Sequence, residues 1–265
     1  MKRGICKMCL KLKDLVLSHL MPRALYDLCR TKDSEPVRAT SEVIMQTSRQ
    51  TKDHLLCKNC EDILNKEGEN WLLPKLAVFQ GAFPLFDILK KFPPDIVDGD
   101  FCGYAAFRNP EINVKSIIHF GAGIFWKASV HSWRGGTKEP LIELGPYSEK
   151  LRQFLVGDGA FPEHVVLTVG LPPPSAALNT FVDPFELQPA GHKQYMFHIP
   201  GMHFSIAVGK AIRHELREMC FAKSPLHLIV VLDISDDIKK LYQQSTKRAY
   251  SSDKIKALFK ARKKE

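Results

Sequence analysis

No apolar run in this 265-residue chain approaches the roughly 20 residues that a membrane-spanning helix needs, so a bilayer span is not expected. The opening Met1-Lys2-Arg3-Gly4 leads into a cysteine pair rather than the apolar core of a signal segment, which makes cytoplasmic residence the expectation. A phosphate-cradling GxxxxGK[ST] is missing, and Gly121-Ala122-Gly123 lacks the rest of a dinucleotide fingerprint. No Ser-centred GxSxG occurs and no internal repeat is present. P-loop nucleotide hydrolysis and acyl transfer through a nucleophile elbow therefore have no sequence support. A disulfide framework is disfavoured too, because the 7 cysteines are odd in number and Cys29, Cys102 and Cys220 are scattered through helical or apolar contexts.

What is present is the composition of a globular protein, with 45% hydrophobic and 25% charged residues. The net charge of +9 is unevenly distributed: +4 over residues 1–75, −3 over 76–238 and +8 over 239–265. A base-rich tail such as 252–264 is suited to tracking a phosphate backbone through counterion release, although solvated helix ends often have the same composition.

The most informative residues are two cysteine pairs, Cys6-Lys7-Met8-Cys9 and Cys57-Lys58-Asn59-Cys60. Two residues between sulfurs let both thiolates of a pair turn toward one ion, and a second pair alongside completes a four-sulfur shell with Zn–S distances of about 2.3 Å. Structural Zn2+ on Cys6, Cys9, Cys57 and Cys60 is the expectation. The intervening stretch from Leu10 to Leu56 exceeds the usual 15 to 20 residues or so of a compact ribbon, so additional structure must be inserted between the knuckles.

Patterning predicts a strand over Asp14–His19, a helix over Pro22–Cys29, a strand within Glu42–Gln46 and a helix from Glu61 to Leu73. Beyond them an α+β body is expected. Helices are predicted over Leu76–Lys91, Val114–Trp133, Tyr147–Val156 and Ala211–Cys220, and strands over His164–Leu171 and Leu226–Leu232. Pro200-Gly201 should join the strands Tyr195–Ile199 and Met202–Val208 into a hairpin. The expected organisation is a zinc-binding module over 1–75, an α+β body over 76–238 and a basic helical tail over 239–265.

The order Cys6/Cys9, then Ser18-His19-Leu20-Met21-Pro22, then Leu55-Leu56-Cys57-Lys58-Asn59-Cys60-Glu61 resembles the zinc-braced HNH endonucleases of the ββα-metal fold. It looks most like bacterial proteins with CxxC, SHxxP and LLCxxCE motifs. Their longer C-terminal parts carry segments similar to Phe125-Trp126-Lys127-Ala128-Ser129 and Glu143-Leu144-Gly145-Pro146. The resemblance implies a metal-dependent nucleic-acid endonuclease, with DNA the favoured substrate and defence against foreign DNA the setting. His19 would be the general base, the four cysteines would hold structural zinc, and Glu61 would stand where the family often has a metal-binding histidine. Mg2+ or Mn2+ would be the catalytic ion. Ser18 departs from the family, which often has an acidic residue immediately before the base. The amide that orients the base has only Gln46 and Gln50 as candidates, and Glu67 or Glu69 could supplement Glu61 with oxygen ligands.

Alternative readings stay open at this level. His19 could merely cap the helix that follows, and Glu61 could be a first-turn acid stabilising a helix dipole. The chain could then be a non-catalytic zinc ribbon binding nucleic acid or protein, or residues 76–238 could form a protein-interaction body. His192, His198, His203 and His214 fit no common ligand spacing and read as surface and core residues. Lys127, Arg134 and Lys138 could reach phosphates or simply form a solvated helix end.

Overall fold

The structure, a computed structural model, describes residues 2–30, 32, 35–40, 44–78, 81–99, 101–133, 139–176, 180–187 and 191–234. The expected basic tail over 239–265, and Arg134 and Lys138, lie outside the described residues.

The chain opens with strands β1 (Lys2–Ile5) and β2 (Leu12–His19), which pair antiparallel around the first cysteine knuckle. Helix α1 (Arg23–Leu28) and the short strands β3 (Val37–Ala39) and β4 (Ile44–Gln46) come next. Strand β5 (Lys52–Cys57) then returns antiparallel to β2, and helix α2 (Lys58–Leu64) leaves the second knuckle. A three-stranded sheet of order β1-β2-β5 results, with α2 following its last strand. The strands β3 and β4, inserted between the knuckles, pair elsewhere: β3 lies parallel to a strand of the second sheet, and β4 forms one edge of that sheet.

After α2 the helix continues through a π-helical turn, Asn65–Glu69, into α3 (Asn70–Leu72). Helix α4 (Pro84–Leu89) is shorter than the helix expected over Leu76–Lys91, because Pro84 has no amide to donate and occupies the first helical turn. Strands β6 (Ile96–Asp98) and β7 (Phe101–Ala105) precede the long helix α5 (Val114–Val130). Asn113 caps α5 by accepting the Ser116 amide at 3.0 Å, and His131 is already extended, so the helix stops short of Trp133.

Helix α6 (Tyr147–Leu155) is followed by β8 (Val165–Leu171), β9 (Thr180–Leu187), β10 (Lys193–Ile199) and β11 (Met202–Val208). The last elements are α7 (His214–Glu218) and β12 (Leu228–Val231). Extended Arg213 confines α7 to fewer residues than the expected Ala211–Cys220, and Arg217 turns back to donate to the Ile212 carbonyl at 2.9 Å. The nine-stranded sheet has the order β4-β3-β9-β10-β11-β8-β12-β7-β6. The hairpin forms as the sequence implies, with Gly201 at φ +75° and His198 directly opposite His203.

Helix α5 is buried on every side from Ser116 to Ala128, which is why its sequence is apolar all round rather than along one stripe. Gly121 lets it approach the sheet, since a Cβ there would lie 2.7 Å from a ring carbon of Phe204. Phe125, Phe197 and Phe204 pack together at that contact. One apolar cluster runs from Cys6 and Met8 through α5 to Val231, so the knuckles and the large sheet share a core.

A buried ion pair fixes the inserted strands to the large sheet. Arg38 on β3 donates through Nε to both carboxylate oxygens of Asp183 on β9, each at 3.1 Å, and through Nη2 as well. Tyr26 packs edge-on against Phe181 beside this pair. Asp183→Ala would leave the guanidinium unpaired, and a loss of about 3 to 5 kcal/mol in unfolding free energy is expected from urea titration.

Candidate functional site

The four sulfurs predicted to meet do so. The Sγ atoms of Cys6, Cys9, Cys57 and Cys60 all lie within 4.8 Å of one another, and Cys9 and Cys57 are 3.9 Å apart. A tetrahedron with arms of about 2.3 Å has edges of about 3.8 Å, so the set has the dimensions of a four-thiolate zinc shell. Local backbone bonds create it. Leu10, at φ +60°, donates its amide to the Cys6 carbonyl at 2.9 Å, closing the first knuckle, and Lys7 donates to Leu55 at 3.2 Å, docking that knuckle on β5. The Cys57 amide points at the Cys6 sulfur at 3.3 Å.

The thiol chemistry fits a cation. A hydrogen bond from Cys60 draws Cys6 down to about 4, whereas that same bond and then burial push Cys60 far up, and burial raises Cys57. One thiolate forms readily here, while further negative charge needs a positive ion at the centre. These cysteines could hold a metal ion such as zinc, and they are the only such grouping among the described residues. All seven cysteines are free of disulfides.

His19 stands at the last position of β2, paired with Lys52 on β5. Its Nε2 lies 2.8 Å from Oε1 of Gln50, which accepts a hydrogen bond from the Nε2–H tautomer and leaves Nδ1 as the basic nitrogen. Burial pushes the imidazole below its ordinary range; Gln50 and Glu61 oppose that shift, and Lys52 and Lys127 add to it. The ring is therefore neutral near pH 7. Helix α1 has no side-chain cap at its N-terminus, so His19 does not play that part.

Ser18, fully buried, accepts the Leu56 amide at 3.2 Å and donates to Glu61 Oε2 at 2.8 Å. Ser18 thus ties the first turn of α2 to the hairpin. Glu61 occupies that first turn, beside Cys60 and on the side facing β2.

Two further groups come from outside the hairpin. Lys127 of α5, only 2% exposed, donates from Nζ to the His19 carbonyl at 2.8 Å, so it belongs neither to a solvated helix end nor to a surface that could reach phosphates. Glu69, at the end of the π-helical turn, lines a small cavity together with Lys127 and His119. Burial raises its carboxyl group, Lys127 opposes that and Glu61 reinforces it. The turn can approach α5 because Gly68 has no side chain: a Cβ would sit 3.0 Å from the Phe120 backbone. Extra residues in a helical turn commonly serve to re-aim a functional side chain.

Across β2–β5, Asp53 lies opposite Ser18. His131 meets Asp53 Oδ2 at 3.0 Å, and the His54 amide donates to Oδ1 at 2.7 Å. Burial disfavours the ionised carboxyl, but these bonds outweigh it and hold Asp53 below the usual carboxylate range. Only its hairpin register opposite the residue before His19 distinguishes Asp53 in the sequence. Glu67 is exposed, whereas Glu69 is the partly buried one, and the side chain of Gln46 lies outside the described residues. His203 is pushed down to about 3 by burial and then by His198, as suits neutral core residues. Trp126 is fully buried, and the Trp133 indole donates to the Lys127 carbonyl at 2.8 Å.

Comparison with known proteins yields no matching family model, no similar curated protein and no similar solved structure. Among the described residues, no helix is long and apolar enough to cross a membrane.

Zinc occupancy is directly measurable. Purified protein should carry one zinc ion per chain by elemental analysis, and Cys60→Ser should lose it together with several degrees of melting temperature, since binding energy at such a site is folding energy.

Proposed function

We propose that this protein is a metal-dependent endonuclease of nucleic acid, of HNH type, whose hairpin and helix are braced by zinc on Cys6, Cys9, Cys57 and Cys60. The observation that carries the reading is the placement of His19 at the end of β2, its Nε2 held by Gln50, with Glu61 of α2 hydrogen-bonded to the neighbouring Ser18. In this reading β2, β5 and α2 form the ββα unit, with the sulfurs joining the two ends that must stay in register. DNA is the favoured substrate, and defence against foreign DNA the favoured setting.

His19 acts as general base. With its Nε2–H donated to Gln50, Nδ1 takes a proton from the attacking water, and its lowered affinity for protons keeps it in the basic form at neutral pH. Glu61 would supply an oxygen ligand suited to Mg2+ or Mn2+, which when bound would neutralise charge building on the scissile phosphate. Exposed Lys2, Arg3, Lys7, Lys11 and Lys13 lie on the β1–β2 arm, where they can follow a phosphate backbone.

A second reading has one specific observation in its favour. Glu61 already accepts a hydrogen bond from buried Ser18, an arrangement that also suits a purely structural carboxylate. The chain would then be a non-catalytic module that binds nucleic acid through the same basic arm.

Cleavage of plasmid, single-stranded DNA and RNA with Mg2+ or Mn2+ against chelator decides between them. Under the nuclease reading His19→Ala lowers the rate at least about a hundredfold while zinc content and melting temperature are kept. Gln50→Ala, which frees the ring to rotate, lowers it by about ten- to a hundredfold. A module that only binds would instead show salt-dependent affinity unchanged by His19→Ala and no cutting with any metal or substrate.

The pH profile gives a further check. A base must be unprotonated to act, so activity rises with pH through the His19 midpoint. Burial, Lys52 and Lys127 together outweigh Gln50 and Glu61, so the acid limb should lie below the ordinary histidine value of 6.5.

A further inference from the structure

We infer that Lys127, carried into the site by α5, is a positioning residue for His19: its ammonium group anchors the backbone carbonyl of the base and thereby fixes the end of β2 against Gln50. This rests on the reading of His19 as general base.

Burying Lys127 is costly. Lys127 is 2% exposed within a run of buried residues from Ser116 to Ala128 that is otherwise almost entirely apolar or small. A leucine or methionine would fill that space without removing a charge from water, and an unpaired buried ammonium is strongly unfavourable. The charge is met by the His19 carbonyl at 2.8 Å, with the Glu69 carboxylate nearby across their shared cavity.

Geometry makes the carbonyl bond consequential. His19 is the last residue of β2, and the next amide, Leu20, still donates across to Thr51 at 3.0 Å, so the His19 carbonyl lies at the very end of the β2–β5 pairing. The His19 ring is hydrogen-bonded to Gln50, and its carbonyl is held by Lys127. Lys127 is itself fixed from behind by the Trp133 indole donating to its carbonyl. The π-helical turn that delivers Glu69, and the Gly68 contact that seats this turn on α5, bring the Glu69 carboxyl group into the cavity that Lys127 also lines. The body beyond residue 75 therefore contributes to the site, and the hairpin with its sulfurs is incomplete without α5.

The test uses full-length, zinc-loaded protein and compares wild type with Lys127→Met and Lys127→Arg, each checked for zinc content and melting temperature. Histidine-selective NMR reads the tautomer and titration midpoint of His19. In Lys127→Met the midpoint should rise, because a nearby positive charge is gone, and the Nε2–H signal should broaden as the bond to Gln50 loosens. Lys127→Arg should restore both in part. If wild type cleaves nucleic acid, Lys127→Met should lower kcat by about a hundredfold with KM little changed, as expected for a misplaced base rather than a lost contact with substrate.

An unchanged His19 titration and tautomer in a folded Lys127→Met protein overturns the inference, whether or not the protein cleaves. Absence of cleavage by wild type with every substrate and metal overturns the nuclease reading, while the NMR result still decides whether Lys127 positions His19. Should Lys127→Met fail to fold, Lys127→Met combined with Glu69→Gln removes both charges, and the same two NMR readouts apply.

Discussion

Helix α5 must be covered on all sides, and most of the architecture follows from that requirement. An apolar stripe can be satisfied by one neighbouring layer, but thirteen consecutive buried residues need a complete surround. The nine-stranded sheet supplies one side through Phe197 and Phe204, and α6 supplies another through Leu151 and Leu155. The remaining side is taken by α2, the π-helical turn and α3, which descend from the second cysteine knuckle. The cysteine-bearing hairpin is therefore packed into the larger body rather than tethered to it.

The sulfur cluster solves a different problem. β1 and β2 form a small arm with exposed Ile5, Leu10, Leu12 and Leu17, and such an arm buries too little apolar area to hold itself in register. The four sulfurs of Cys6, Cys9, Cys57 and Cys60 come together where this arm meets β5 and α2, and Arg152 of α6 adds a bond to the Met8 carbonyl at 2.7 Å. The insertion between the knuckles exploits this. Once β2 and β5 are held together, the chain between them can leave the small sheet, and the Arg38–Asp183 pair secures it at the edge of the large one.

Much of this was legible in the sequence, for physical reasons that differ by element. The paired spacing of Cys6/Cys9 and Cys57/Cys60 encodes a local geometry, so the meeting of the four sulfurs could be read directly. Pro200-Gly201 fixed a turn, and with it the opposition of His198 and His203. The strands β7 and β9 were not evident: besides their neighbours β6 and β10 they pair with the distant β12 and β3, contacts that leave no local pattern. The same limit applies to the site. His19 and Glu61 stand in recognisable motifs, and Gln50 was one of two candidate amides. Lys127 is 108 positions from His19, and nothing within a helical segment shows which buried residue meets a carbonyl of another sheet.

The lysine also shows where local pattern and function diverge. Seventeen residues of α5 read as a core helix, and by that pattern a lysine near its end belongs in solvent. Its burial breaks local consistency, and such breaks concentrate where a structure meets a second requirement. Here three neighbouring features break consistency together: a charge inside an apolar helix, a π-helical turn carrying Glu69, and Gly68 within that turn. Each alone destabilises a helix or its packing. Together they are mutually explanatory, because the glycine admits the turn and the turn brings the Glu69 carboxyl group into the cavity that the buried lysine lines. What remains for that ammonium to do is bind the His19 carbonyl, at the one strand end where the motif, the amide of Gln50 and the cysteine-braced helix converge.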